Sequence, residues 1–161
     1  LLVRNPYDLS KEFGFMVTDW SSGSWSDASG EGKGVYNDFT LRPGIKFHDG
    51  SLLTPEDVKF SLEFTKDCGP GVAWNYPQAM DIWNVTITGT NSVRVYYDAT
   101  SPWVLHWGGF LNIMKKDLWM AANAKFGWGY GTTSFDPLKV RTYHPWELGA
   151  LGDANNNGII D

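Results

Sequence analysis

The stretch from Thr40 to Phe60, TLRPGIKFHDGSLLTPEDVKF, constrains the fold most, because it holds two turns and a helix start in one short run. The Pro-Gly pair at 43–44 and the Asp-Gly pair at 49–50 predict the turns. Proline presets φ for a turn, and glycine adopts a positive φ without the penalty of a Cβ. The stretch therefore predicts a strand up to the first turn, a short strand between the turns, and a helix after the second.

A helix is predicted to begin at Thr54 and to end near Cys68. Thr54 is the N-cap candidate, Pro55 occupies the first helical position, and Asp57 follows the cap by three residues, which is the pattern of a capping box. Acidic residues at this end also suit the positive pole of the helix dipole. The Gly-Pro-Gly run at 69–71 cannot continue the helix. The predicted inner face of this helix comprises Val58, Leu62, Phe64 and Thr65.

The rest of the chain predicts further short elements around this helix. Residues 20–34 are rich in Ser, Gly and acidic side chains and predict an exposed loop, whereas 35–41 alternate as a half-buried strand. Residues 83–97 predict a hairpin, and 102–112 and 115–126 predict two more helices. The predicted inward residues of the strands are Val35, Asn37, Phe39, Leu41, Trp83, Val85, Ile87, Val93, Val95 and Tyr97. The pattern predicts an α+β fold: a small, mainly antiparallel sheet with two or three packed helices.

Composition excludes several classes of protein. A chain of 161 residues with 42% hydrophobic residues can form one domain with a real core. The net charge of −5 and the scattered positions of the 13 basic residues argue against a nucleic-acid partner. No apolar run is long enough to cross a bilayer. The chain lacks an initiator Met and breaks off inside a motif, so we expect a piece of a longer protein.

That motif is GDANNNGIID, which resembles the calcium loop of dockerins and EF-hands. Asp153, Asn155 and Asn157 occupy alternating positions, Gly158 is sixth and Asp161 is ninth. A hard cation takes oxygen ligands at every second residue, and the glycine permits the sharp turn. The metal-ligand candidates are therefore Asp153, Asn155, Asn157 and Asp161, with Ca²⁺ as the possible ion. The carboxylate usual at position twelve falls beyond the last residue, and a polar Asn-Gly linker explains the same composition.

The sequence offers no catalytic constellation. His48, His106 and His144 are widely separated and do not pair at the spacing of metal ligands. Cys68 is the single cysteine and is expected to be a buried or half-exposed thiol at the helix end. We therefore expect a protein that is not an enzyme; an enzyme would need convergent polar groups with perturbed pKa values in a pocket.

The aromatic content leaves a rival interpretation open. Nine Trp residues and a calcium-type loop are also typical of an extracellular carbohydrate-binding module with a structural calcium site. That interpretation requires exposed, coplanar Trp rings, whereas buried Trp would count against it. Core packing is the alternative use of the same residues.

The stretch that constrains the fold also resembles the signature region of the family 5 extracytoplasmic solute-binding proteins. These are the oligopeptide-, dipeptide- and nickel-binding components of ABC importers. The matching motifs, in order, are Leu41-Arg42-Pro43-Gly44, Phe47-His48-Asp49-Gly50, Leu53-Thr54 and Glu56-Asp57-Val58. The resemblance is clearest over 20–119, and Met114-Lys115 replaces a Pro-Lys step that is usual in the family.

The resemblance implies a domain organisation and a function. Members are much longer and have two lobes that close on a solute, and the signature lies in an extra subdomain of the larger lobe. Residues 1–126 are accordingly predicted to be this subdomain, and 127–161 a Gly- and aromatic-rich tail. The implied location is extracytoplasmic: periplasmic, cell-surface or secreted. The implied partners are the remaining lobes, a peptide-like or other small solute, and an ABC permease. The resemblance assigns no ligand-binding residues to this piece.

Overall fold

The computed structural model describes residues 1–8, 11–30, 32–70, 76–101 and 103–141. Within them the chain forms six strands, four α-helices and a short 3₁₀ turn at Tyr76–Gln78. The strands are β1 (Leu2–Arg4), β2 (Glu12–Gly14), β3 (Val17–Ser26), β4 (Lys33–Leu41), β5 (Ile82–Gly89) and β6 (Ser92–Tyr97). The helices are α1 (Pro55–Cys68), α2 (Val104–Gly109), α3 (Lys116–Phe126) and α4 (Pro137–Arg141).

The strands form two antiparallel sheets. The main sheet has the order β3-β4-β6-β5, and β1 pairs with β2 in a separate hairpin. Helix α1 packs against β5 and β6 on one face of the main sheet. The predicted α+β fold with a small antiparallel sheet and packed helices is therefore confirmed.

Alternation along the strands produces the principal core. Val93, Val95 and Tyr97 of β6 are fully buried on the covered face of the main sheet, as are Asn37 and Phe39 of β4. The intervening side chains point to the other face, as expected for a sheet with one covered side. Each fully buried Val or Phe side chain contributes about 1.5–3 kcal/mol through removal of apolar surface from water.

Helix α1 begins and ends where its local signals predict. Thr54 has an extended backbone, and its Oγ1 accepts the backbone N–H of Asp57 at 3.3 Å. The Asp57 carboxylate accepts the Thr54 N–H at 2.9 Å, which completes the capping box. Gly69, with φ of 72°, terminates the helix after Cys68.

Both predicted turns form. Gly44 and Gly50 have φ of 80° and 83°, values in the left-handed region that favours glycine. The short strand predicted between them is reduced to one isolated bridge, between Lys46 and Leu52.

The exposed loop predicted for residues 20–34 is wrong over most of its length. Strand β3 runs for ten residues and pairs with β4 from Asp19 opposite Thr40 to Ser26 opposite Lys33. The exposure that its Ser and Gly residues predict is correct, since most of β3 is accessible to solvent. Composition could not predict the pairing, because a strand forms here through its contacts with β4, the next strand along the chain.

The predicted inward face of β5 is also partly wrong. The register shifts between Ile82 and Asn84, so that Trp83 lies on the other face of the sheet against Trp25 and Tyr96. A bulge of one residue reverses the side on which the bulged side chain lies.

A second, smaller core lies on the other flank of α1. Trp128 is 1% exposed and packs with Phe64, Trp119 and Phe126. Residues beyond the predicted boundary at 126–127 thus contact the same helix, and the boundary itself stays a prediction. None of the helices in the described part of the chain has both the length and the apolar character of a membrane span.

Candidate functional site

The predicted calcium ligands lie outside the described residues. Asp153, Asn155, Asn157 and Asp161 all fall after position 141, so the calcium loop stays a prediction. Within the described ranges, no group of three or more His, Cys, Asp and Glu side chains could hold a metal ion.

One surface cleft, of about 450 Å³, lies between the second turn and the start of α3. Two of its charged groups pair with each other: the Lys115 ammonium donates to the Asp49 carboxylate. Asp49 also accepts the N–H and the hydroxyl of Ser51, at 3.0 and 2.6 Å. The Lys115 bond, followed by the Ser51 bonds, lowers the pKa of Asp49, and the same bond raises the pKa of Lys115. This cleft joins the turn to α3 and is best explained as scaffold.

Asp57 lies behind this cleft and supports two helices at once. One carboxylate oxygen completes the cap of α1, and the other accepts the N–H of Lys116, at 2.8 Å, at the start of α3. The hydroxyl of Ser61 accepts the N–H of Met114 at 2.7 Å. Helix α3 has no side-chain cap of its own at Lys115, so α1 provides the partner that the local sequence lacks.

A second cleft, of about 390 Å³, lies where the β1–β2 hairpin meets the end of α2, and we call it the hairpin groove. Its apolar lining includes Leu1, Leu2, Phe15, Met16, Phe110 and Leu111. The hairpin approaches α2 closely because Gly109 has no side chain: a Cβ there would come within 2.6 Å of Leu2. The groove therefore depends on a glycine of α2.

Polar and charged side chains lie next to the groove. Glu12 of β2 is in close contact with His106 of α2, and Arg4 of β1 lies 3.9 Å from the same carboxylate. Glu12 is 10% exposed and His106 is 28% exposed. Glu12 Oε1 and His106 Nδ1 meet without the geometry of a hydrogen bond, and neither has another hydrogen-bond partner among the described residues. Buried polar atoms in this state still have hydrogen-bonding capacity.

Aromatic rings flank these groups. The His106 ring is stacked on the Phe110 ring, with 6.1 Å between the ring centres, and the centre of the Trp103 ring lies 5.1 Å from that of His106. The Arg4 guanidinium lies 5.7 Å from the centre of the Phe110 ring. Trp103 and Phe110 are 56% and 36% exposed, so a bound molecule could reach their surfaces. Apolar surface with a few polar groups is the usual composition of a small-molecule site.

The hairpin groove is therefore the candidate functional site of the described chain. The sequence did not predict it, because residues 1–19 show no clear periodicity. In the sequence, His106 is one of three widely separated histidines. Its proximity to Glu12 is created by the packing of α2 on a hairpin that lies near the start of the chain.

The Trp residues on the open face of the main sheet do not form a sugar-stacking platform. The ring centres of Trp25 and Trp83 lie 4.6 Å apart and the ring planes are tilted by 38°, so each ring covers part of the other. The Trp25 indole also donates to the Tyr97 carbonyl at 3.0 Å. The coplanar, exposed rings that the carbohydrate-binding interpretation requires are absent from this face, as far as the chain is described.

Comparison with known proteins gives one family. No curated protein sequence matches this chain. Residues 31–143, more than half of the chain, match the model of the family described as "Bacterial extracellular solute-binding proteins, family 5 Middle".

Several solved structures share the fold. A dipeptide binding protein from a Pseudoalteromonas species, solved with Met-Leu, is 20% identical, with a TM-score of 0.58 over 78% of this chain. NikZ from Campylobacter jejuni, solved with Ni(L-His), is 23% identical, with a TM-score of 0.57 over 73% of this chain. An oligopeptide binding protein from Thermus thermophilus, solved with a pentapeptide, is 23% identical, with a TM-score of 0.53 over 73% of this chain. The chain spans only 26%, 22% and 20% of these three proteins.

Proposed function

We propose that this chain, which belongs to the bacterial extracellular solute-binding proteins of family 5, is part of a larger binding protein. That protein captures a peptide-like or other small solute for an ABC importer. The family match over residues 31–143 is the observation that carries this proposal. Binding is reversible and involves lobe closure, without bond-making chemistry. Solute capture takes place outside the cytoplasm, which agrees with the family's description as extracellular.

Within that protein, we assign the hairpin groove to the wall of the solute cleft. Its volume of about 390 Å³ suits a small solute, or one or two side chains of a larger one. Arg4 can donate to a carboxylate, while Phe110 and Trp103 offer apolar surface beside it. Because the chain spans about a quarter or less of the structures that it resembles, the other wall comes from the remaining lobes.

The test is solute binding by the protein that the complete reading frame encodes. We expect calorimetry to detect saturable binding of at least one of three probes: the dipeptide Met-Leu, a pentapeptide, or Ni(L-His). The variant Arg4→Gln should weaken binding of a carboxylate-bearing probe by about tenfold, the usual effect of losing a charge-assisted hydrogen bond. Lys33→Gln is the matched control, because Lys33 is exposed on β4 away from the groove.

The outcomes separate the two parts of the proposal. Failure of all three probes, together with the absence of permease genes beside the reading frame, would contradict the transport function. Equal binding by Arg4→Gln and the parent protein would remove the groove from the solute site and leave the transport function standing.

We also propose that the GDANNNGIID segment binds Ca²⁺ in the longer protein. The alternating oxygen side chains of Asp153, Asn155 and Asn157 support this. A calcium titration of this chain and of one extended by several residues tests it, and the absence of heat in both would refute it.

A further inference from the structure

The β1–β2 hairpin has one face that packs on the domain and one that does not. On the packed side, Leu2 is 5% exposed and lies against Gly109, while Glu12 contacts His106. On the other side, Val3 and Phe13 lie directly opposite each other and are 44% and 50% exposed.

Phe15 extends this apolar surface towards the groove. It follows β2, is 64% exposed, and lines the hairpin groove. We call Val3, Phe13 and Phe15 the hairpin patch. The patch belongs to a sheet of two strands, each three residues long, with no third strand among the described residues. An isolated ribbon of two strands is marginally stable in water, and it gains stability when its apolar face is covered.

The open face of the main sheet provides a contrast. Its rings pack against one another, and Arg94 forms two hydrogen bonds of 2.8 and 2.7 Å with the Asp38 carboxylate. The same guanidinium lies 4.0 Å over the Tyr36 ring. Trp25, Tyr36 and Tyr96 are each only partly exposed. Among the described apolar side chains of this face, only Trp83 is exposed to the same extent as Val3, at 44%, and it packs against Trp25 and Tyr96. The Arg94 and Asp38 charges pair with each other, whereas the hairpin patch leaves three apolar side chains open.

We propose that the hairpin patch is the contact surface for the remaining polypeptide of the same binding protein. The inference rests on the proposed function. The chain spans only 22% and 20% of two of the structures that share this fold, so most of the polypeptide of such a protein lies outside it. Phe15 is common to the patch and the groove, so a lobe that covers Val3 and Phe13 also comes to lie over the groove. The contact thereby gives the groove its second wall.

Cysteine labelling tests the contact. Phe13→Cys is prepared in this chain and in the protein from the complete reading frame, both with Cys68→Ser, and reaction with iodoacetamide is followed. We expect labelling to be at least about tenfold slower in the longer protein, since a covered thiol reacts only after local opening. Ile87→Cys is the control, because Ile87 is 40% exposed on β5, remote from the patch, and should react equally in both. Circular dichroism confirms that each variant is folded, and amide hydrogen exchange of β1 and β2 in the unsubstituted proteins gives a second measure that needs no variant.

Each outcome decides the proposal. Equal labelling of Phe13→Cys in both proteins, or hairpin amides equally protected in both, overturns it. Protection that depends on protein concentration means that a second copy covers the patch and also overturns it, as does a reading frame that contains no further lobes. If the longer protein binds its solute but leaves Phe13→Cys reactive, this inference fails and the transport function stands. If Phe13→Cys is protected and none of the three probes binds, the contact stands and the transport function fails.

Discussion

At the scale of single residues, burial distinguishes the Cys68 thiol from that of a reactive cysteine. Cys68 is 4% exposed at the end of α1, where it packs in the second core. Burial, followed by the negative charge of Asp67, raises the pKa of the thiol to about 12. The sequence predicted a buried or half-exposed thiol at this position, and the structure confirms the buried alternative.

The raised pKa predicts the reactivity of the native thiol. Iodoacetamide should label Cys68 slowly in the folded protein, with a rate that rises about tenfold per pH unit and does not level off near pH 9, because only the thiolate reacts. The variant Cys68→Ser, Ser26→Cys is the control, since Ser26 is exposed on β3. A labelling rate for native Cys68 that reaches a plateau by pH 9 would contradict the prediction.

The same shift has a defined sign for stability. The unfolded thiol ionises near its ordinary pKa of 9.0, whereas the folded thiol stays protonated to about pH 12. Above pH 9 the folded chain therefore holds more protons than the unfolded chain. As a result, Cys68 reduces the free energy of unfolding as the pH rises through this range.

At the scale of elements, one carboxylate couples the starts of α1 and α3. Asp57 is 6% exposed, accepts the Thr54 N–H for α1, and accepts the Lys116 N–H for α3. The capping box made the first contact predictable from adjacent residues. The second contact joins positions that are 59 residues apart, so no local pattern could show it.

Asp57→Asn should therefore destabilise both helix starts. An amide keeps one acceptor oxygen in place of two and loses the charge, so we expect the free energy of unfolding to fall by about 2 kcal/mol. Urea unfolding measures this, with Glu56→Gln as the control because Glu56 is exposed in the same turn. Equal midpoints for the two variants would show that Asp57 does not have this role.

At the scale of the whole molecule, α1 joins two cores. Val58 and Leu62 lie in the core under the main sheet, whereas Phe60 and Phe64 lie in the second core with Trp128. A helix with apolar residues on two sides must be covered on both, and residues 127–141 supply part of the second cover. The chain is expected to unfold as one cooperative unit over the described ranges.

Trp128→Ala tests this coupling. Because Trp128 is 1% exposed among aromatic neighbours, we expect a loss of about 3–5 kcal/mol in the free energy of unfolding, still in one transition. Trp103→Ala, at a position that is 56% exposed, should change this free energy by far less. Two separate transitions, or a small loss for Trp128→Ala, would mean that the second core folds independently.

Local signals in the sequence are enough to predict several of the elements. Thr54, Pro55 and Asp57 define the start of α1, and the alternation on β4 and β6 defines their buried faces. The Pro-Gly and Asp-Gly turns lie between β4 and α1. The same punctuated stretch identified the family, because its motifs follow one another in order along the chain.

Other features depend on how the elements pair and pack, and only the folded chain shows them. Strand β3 is a strand because β4 pairs with it, although its Ser and Gly residues favour a loop. Trp83 changes face through a bulge against β6. The candidate site unites Glu12 with His106, which are brought together when a hairpin packs on α2 over Gly109. Local sequence patterns report backbone preference and exposure, whereas these arrangements follow from which elements pack together.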